Sequence, residues 1–337
     1  MNLLIWGAGA MGGTIGAYLA RAGHTITLVD RAADHIAAIN RQGLRITGPV
    51  DEFIVQVPAF TPEDVTGEFS TILLCVKAHH TAEATHMLAP HLAPDGYVVS
   101  IQNGLNELVI ADIVGPARTI GAFVNFGADY IEPGLIHRGN RAAVVLGELD
   151  GQITPRLTTL HRTFLDFDDR TIMTANIWGY LWGKLAYGAQ LFATALTNDS
   201  IADALAHPAY RDVYIALAQE VLSVALARGV TPEGFDGFDP RAFLPGVDSA
   251  ISQRSLDEMA AFNRGSAKTH SGIWRDLAVR KRCTEVDAQL GPIVALGAEA
   301  GVPTPLVARL IDLIHDIENN RRSQSLETLG ELKKCLP

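Results

Sequence analysis

Six residues near the start of the chain have the types and spacing to hold a diphosphate. Gly7-Ala8-Gly9-Ala10-Met11-Gly12 directly follows the short apolar run at 3–6. In a G-x-G-x-x-G the first glycine permits the tight turn out of a strand. The second lets the backbone approach a pyrophosphate with no Cβ in the way, and the third lets the next helix pack closely. A helix over 12–22, with Gly23 just past its end, would aim its free N–H groups and positive dipole end at the phosphates. The alternating stretch 24–29 then ends at Asp30-Arg31. An acid about 20 positions past the glycines is where a ribose hydroxyl is read. Bracketed by two strands, a helix and this aspartate, the motif reads as a cofactor site rather than a glycine-rich turn.

Four further residues could complete a reaction. Lys77 ends the largely apolar run 69–76, and Asn103 follows the buried strand 97–101. Alone, the first reads as a solvated charge and the second as part of an Asn-Gly turn. At the ends of consecutive buried strands beside a dinucleotide motif, both face the ligand instead, because ligands of open α/β sheets lie beyond the carboxyl ends of the strands. Lys184 is the only ionisable group from 177 to 197 apart from two tyrosines. Such a lysine either snorkels to solvent or serves as a proton donor whose pKa burial can bring near working pH. A hundred residues on, Cys283-Thr284-Glu285-Val286-Asp287 offers a carboxylate, although Thr284 or Glu285 could simply begin a helix.

The elements that must position these groups fall into two halves. Helices over 34–42 and 81–88, strands near 44–46, 53–57, 119–126 and 142–147, and turns at 94–96 and 132–134 alternate as in a doubly wound α/β sheet. From about residue 172 helical periodicity takes over, at 178–196, 201–205, 209–228, 255–259, 285–301 and 305–319. A Pro- and Gly-rich loop spans 231–247, and a charged terminal helix follows 321. The expected organisation is a dinucleotide-binding domain at 1–171 and a helical substrate domain at 172–337. With 337 residues, 48% of them hydrophobic, the chain can bury a large core. Its formal net charge of −10 speaks against nucleic acid or an anionic membrane as partner. Three widely spaced cysteines suit neither a disulfide framework nor a zinc site, so no metal is expected. No uncharged apolar run reaches the ~18 residues of a spanning helix, and charge arrives too late for a signal peptide. A cytoplasmic enzyme is expected, with a homodimer left open.

Taken in order, the glycine motif, Lys77, Gln102-Asn103-Gly104, Trp182-Gly183-Lys184-Leu185 and Thr284-Glu285-Val286-Asp287 resemble the ketopantoate reductase family over nearly the whole chain. The resemblance implies an N-terminal Rossmann domain and an all-helical C-terminal domain, acting on a small 2-oxo acid. It also implies Lys184 as general acid, Glu285 as holder of a substrate hydroxyl, and Asn103 near the nicotinamide and the lysine. The family's carboxylate-binding serine matches Ser271 best, within 268–276 and at a longer spacing from Glu285 than the family pattern; Arg275 could assist it. The chain departs from the pattern one and two turns past the lysine, where the family's asparagines are replaced by Gly188 and by Leu191 or Phe192. An apolar or bulkier 2-oxo acid becomes plausible. For the cofactor, Asp30 allows NAD, whereas Arg31, Lys77 and the resemblance favour NADP. The rival readings are another dehydrogenase, of opine or 3-hydroxyacid type, and a non-catalytic redox sensor.

Overall fold

The computed structural model describes residues 1–265 and 269–336. They form two compact units, Met1–Ile177 and Trp178–Pro337.

Twelve strands build the first unit: Asn2–Trp6 (β1), Thr25–Val29 (β2), Leu44–Thr47 (β3), Phe53–Val55 (β4), Ala59–Phe60 (β5), Phe69–Leu74 (β6), Leu92–Ser100 (β7), Thr119–Val124 (β8), Ala128–Glu132 (β9), Leu135–Arg138 (β10), Val144–Glu148 (β11) and Ile172–Met173 (β12). Its helices are Ala10–Arg21 (α1), Ala33–Gln42 (α2), Thr81–Leu88 (α3), Asn106–Val114 (α4) and Pro155–Leu165 (α5). The main sheet runs β12-β11-β8-β7-β6-β1-β2-β5. From β5 through β8 the strands are parallel and follow the 3-2-1-4-5-6 order of a dinucleotide-binding fold. β11 pairs antiparallel to β8, and β12, parallel to β11, closes the far edge. Alternate side chains of β1 enter different cores: Leu3 and Ile5 on one face, Leu4 and Trp6 on the other. A strand apolar on both sides marks a sheet covered on both sides.

Several local expectations shift. α1 begins at Ala10 rather than residue 12, so the last residues of the glycine motif form its first turn. β3 and β4 leave the main sheet and join β9 and β10 in a separate four-stranded sheet, in the order β4-β3-β10-β9. Pro94-Asp95-Gly96 is an irregularity inside β7, not a turn between elements: β7 advances from Leu92 to Tyr97 while β6 advances from Phe69 to Thr71. Helices α4 and α5 were not expected.

The second unit is helical: Ile177–Thr194 (α6, its first residue the last of the first unit), Ile201–Ala206 (α7), Arg211–Ala227 (α8), Ser249–Arg264 (α9), the single turn Gly272–Trp274 (α10), Val286–Ala300 (α11), Pro305–Glu318 (α12) and Leu326–Lys333 (α13). α9 is far longer than the expected 255–259, because Asp248 caps its start by accepting the Ala250 N–H at 2.9 Å. The long loop over 231–247 contains a 3₁₀ turn, Pro240–Phe243.

Candidate functional site

In the first unit the glycines make a cradle. Gly7 has φ +102°, and a Cβ there would lie 2.8 Å from the Val76 nitrogen. One on Gly12 would lie 2.1 Å from the Gly7 oxygen. A Cβ on Gly9 would meet nothing within 4 Å, so that position opens outward. Gly9 is also the N-cap of α1 and brings no side chain to satisfy the first-turn amides. A glycine loop packed behind and open in front, at a helix N-terminus, fits a bound diphosphate.

The strand ends bring the other expected residues to this side. Asp30, after β2, turns one oxygen back to accept the Ala32 N–H at 3.0 Å. Arg31 is exposed, and its Nη2 donates to His80 Nε2 at 3.0 Å. His80 lies in the turn that follows Lys77, so Arg31 and the exposed Lys77 are brought to one edge. Asn103 is also exposed, just before Gly104 at φ +108°. A buried polar relay fixes these turns. Gln102 Nε2 donates to the Val76 carbonyl at 2.9 Å and to Thr81 Oγ1 at 2.8 Å; Asn106 Nδ2 donates to the Asn103 carbonyl at 2.7 Å. His80, Thr81 and Asn106 were missed in the sequence, because polar residues in a turn look alike until their partners are known. Cys75 closes the back of the cradle, where burial pushes its thiol pKa up and disfavours the thiolate.

In the second unit Lys184 is half-buried on α6. Gly183 explains how its helix is held: a Cβ there would lie 2.3 Å from the Glu233 oxygen, and the Glu233 N–H donates to the Gly179 carbonyl at 2.9 Å. The loop over 231–234 therefore lies directly on the helix backbone. Positions 187, 188 and 191 fall on the Lys184 face by helical spacing. Gly188 leaves open space, with nothing within 4 Å of its would-be Cβ. Of the two residues in question further along, Leu191 is half-buried, whereas Phe192 is wholly in the core. Tyr187 joins Phe235 and Phe238 at ring-centroid distances of 6.1 and 5.5 Å. Burial raises its phenol pKa, against the Asn263 hydrogen bond, so it stays neutral at ordinary pH. This aromatic wall went unnoticed in the sequence because Tyr187 and Phe235 are far apart along the chain.

The other two expected residues divide their labour with neighbours. Ser271 is 2% exposed, and its Oγ accepts the Trp274 N–H at 3.1 Å as the cap of α10. It makes no hydrogen bond to Lys184 or Glu285 among the described residues; Lys268, in the same stretch, lies outside them. After α10 the chain takes a π-helical turn, Arg275–Val279, closed by Arg280 N–H to the Arg275 carbonyl at 2.9 Å. Such turns are rare and often mark functional sites. At α11 it is Thr284 that caps, accepting the Val286 N–H at 3.2 Å, while its own N–H donates to Glu318 at 2.6 Å. Glu285 occupies the N-cap position but spends no oxygen on the cap. A separate polar recess of about 590 Å³, rimmed by Lys281, Arg282, Arg321 and Arg322, is lined by none of Lys184, Ser271 or Glu285.

Two family models match the chain: "Ketopantoate reductase PanE/ApbA" over residues 3–151 and "Ketopantoate reductase PanE/ApbA C terminal" over 176–318. The 2-dehydropantoate 2-reductase of Mesorhizobium japonicum is 29% identical, over 95% of this chain and 99% of its own. That of Halobacterium salinarum is 25% identical, over 93% and 98%. Among solved structures, a PanE/ApbA family ketopantoate reductase from Ralstonia eutropha superposes with a TM-score of 0.79 at 26% identity, covering 95% of this chain and 99% of that one. D-mandelate dehydrogenase, solved with NADH and anilino(oxo)acetate, gives 0.82 at 21% identity with the same coverage, a likeness of fold.

Proposed function

Because the chain belongs to the ketopantoate reductase family, oxidoreductases that act on a CH–OH group with a nicotinamide dinucleotide, we propose that it reduces the ketone of a 2-oxo acid with NADPH. The observation that carries the reading is the cradle, closed behind Gly7 and Gly12 and open at Gly9. The dinucleotide, when bound, supplies the hydride. The first unit holds it through the cradle, and Asn103 orients its nicotinamide end. Asp30 has one oxygen occupied by its own turn, and Arg31 stands with His80 at the Lys77 edge; both features favour a 2′-phosphate over a bare ribose.

The second unit supplies the proton. Reduction of a ketone leaves negative charge on its oxygen, and the Lys184 ammonium both stabilises that charge and donates the proton. Ser271 accepts from Trp274, so its own hydroxyl proton is left to donate to the substrate carboxylate, with Arg275 assisting. Glu285, at the head of α11 where Thr284 makes the capping bond, accepts from a substrate hydroxyl. Ketopantoate, reduced to pantoate for pantothenate synthesis, is the first candidate substrate. Gly188 and the Tyr187 aromatic wall favour a second, a branched or aromatic 2-oxo acid without the hydroxyl. The three free cysteines suit a reducing compartment such as the cytoplasm; no helix among the described residues is long and apolar enough to cross a membrane.

A panel of 2-oxo acids assayed with NADPH and with NADH tests the proposal. We expect NADPH to be preferred, and ketopantoate to exceed 2-oxoisovalerate by no more than about tenfold in kcat/KM. A preference on the order of several thousandfold, within reach of a site built to read a hydroxyl, would assign the enzyme to ketopantoate alone. No turnover of any 2-oxo acid would leave the sensor reading.

A further inference from the structure

We propose that His35 is a positioning residue for the dinucleotide: its imidazole aims the Gly9 amide at the pyrophosphate. The inference rests on the cofactor reading above. His35, on α2, is fully buried and bonds in two directions. Its Nδ1 receives the Gly134 N–H at 2.9 Å. A backbone amide can only donate, so Nδ1 carries no proton and the ring proton is on Nε2. Nε2 in turn donates to the Ala8 carbonyl oxygen at 3.0 Å. The hairpin that joins β9 to β10 therefore selects the tautomer, and the tautomer grips the glycine loop. Tyr130 of β9 packs edge-on against the ring at 5.0 Å and holds it in place.

The Ala8–Gly9 peptide is trans, and a trans peptide is planar with its C=O and N–H pointing to opposite sides. Tying the Ala8 oxygen to His35 thus turns the Gly9 N–H away from α2. The Gly7 and Ala8 amides are both spent on the Val29 carbonyl, at 2.8 and 3.1 Å. Gly9 is the first amide of the loop without a partner among the described residues, and it lies where a Cβ would meet nothing. An unspent donor on a half-buried glycine that borders open space, at the head of a helix, is suited to an anion. The sequence motif supplies the glycine, and a histidine outside the motif supplies the direction.

Two variants of the full chain separate the bonds. In His35→Asn the shorter side chain keeps an acceptor near Gly134 but falls short of Ala8. In His35→Gln the longer amide reaches Ala8 as a donor. Dissociation constants for NADPH and NADH are read from nicotinamide fluorescence, and kcat is measured at saturating cofactor. We expect His35→Asn to weaken both dinucleotides by the same factor, about 10- to 100-fold, the consequence of a buried carbonyl left unpaired. His35→Gln should restore wild-type affinity, and kcat should hold in both variants. Equal losses in the two variants, wild-type binding by His35→Asn, or a loss confined to NADPH would each overturn the proposal. Wild-type protein that binds neither dinucleotide would overturn the cofactor reading and this inference with it. Should His35→Asn fail to fold, ¹H–¹⁵N spectra of the wild type decide. NADPH must shift the Gly9 amide, and His35 must show its proton on Nε2; an unmoved Gly9 amide or a proton on Nδ1 refutes the assignment.

Discussion

In the proposed function the chain offers its ligands backbone at Gly9 and one side chain at Lys184. The cradle depends on what is missing: Cβ atoms at Gly7 and Gly12 would strike neighbouring backbone, and one at Gly9 would stand in open space. The Gly7 and Ala8 amides fasten the loop to the β2 carbonyl of Val29, which leaves the Gly9 amide and the start of α1 as its unspent donors. In the helical unit the expected groups come one each from α6, α10 and the head of α11, and a neighbour shapes the surroundings of each. Thr284 takes the cap from Glu285, Trp274 takes the lone pair of Ser271, and Gly183 seats the helix that carries Lys184. A backbone site spreads its binding energy over many small contacts and tolerates changes in the side chains around it. A side-chain site concentrates its chemistry, so one substitution can remove it while the fold persists.

The sharpest way to break this contrast is Lys184→Ala. We expect kcat to fall by roughly 10²–10⁴, the share a positioned acid contributes, with NADPH affinity unchanged because the cradle lies in the other unit. Near-normal turnover would take Lys184 out of the chemistry.

A smaller effect separates backbone from side chain inside the first unit. Replacing Arg31 and Lys77 together with alanine should weaken NADPH by about 2–4 kcal/mol, taking charge-assisted bonds at ~1.5–3 each with allowance for exposure. NADH, held by the same cradle without a 2′-phosphate, should bind as before. Titrations showing equal losses for both cofactors would mean that neither cation reads the phosphate.

The same contrast explains what could be read from the sequence. The glycine motif is legible because its reasons are local: a turn, a close approach and a helix start lie within six residues. The parallel order of the main sheet follows from alternating strands and helices. The second sheet was hidden because β3 pairs with β10, from Leu44–Thr47 to Leu135–Arg138, and short apolar runs carry no record of a partner so distant. His35 and His80 were invisible for the same reason: their roles lie in bonds to Ala8, Gly134 and Arg31. Helix α5 is a different case. Thr154 accepts the Leu157 N–H at 3.1 Å and Pro155 opens the first turn, a local start pattern that was present and passed over. For Glu285 the sequence leaves helix start and ligand holder open, and the structure puts it at the N-cap position of α11 with Thr284 making the capping bond.

The smallest expected effect sharpens the substrate question. Gly188 is one turn past Lys184 on the same face of α6, where the family pattern has an asparagine. A side chain there meets open space, and the position is helical, so Gly188→Asn should fold and gain a few tenths of a kcal/mol from helix propensity. The new amide adds one hydrogen-bonding group near the lysine, worth about 1 kcal/mol if a substrate hydroxyl meets it. The ratio of kcat/KM for ketopantoate over 2-oxoisovalerate should therefore rise about five- to tenfold in this variant, chiefly through better use of the hydroxylated acid. Leu191, half-buried a further turn along, would still present an apolar surface and keep the gain modest. An unchanged ratio would mean that Glu285 already reads the hydroxyl without help from α6, and the open space at Gly188 would then have no part in selecting the substrate.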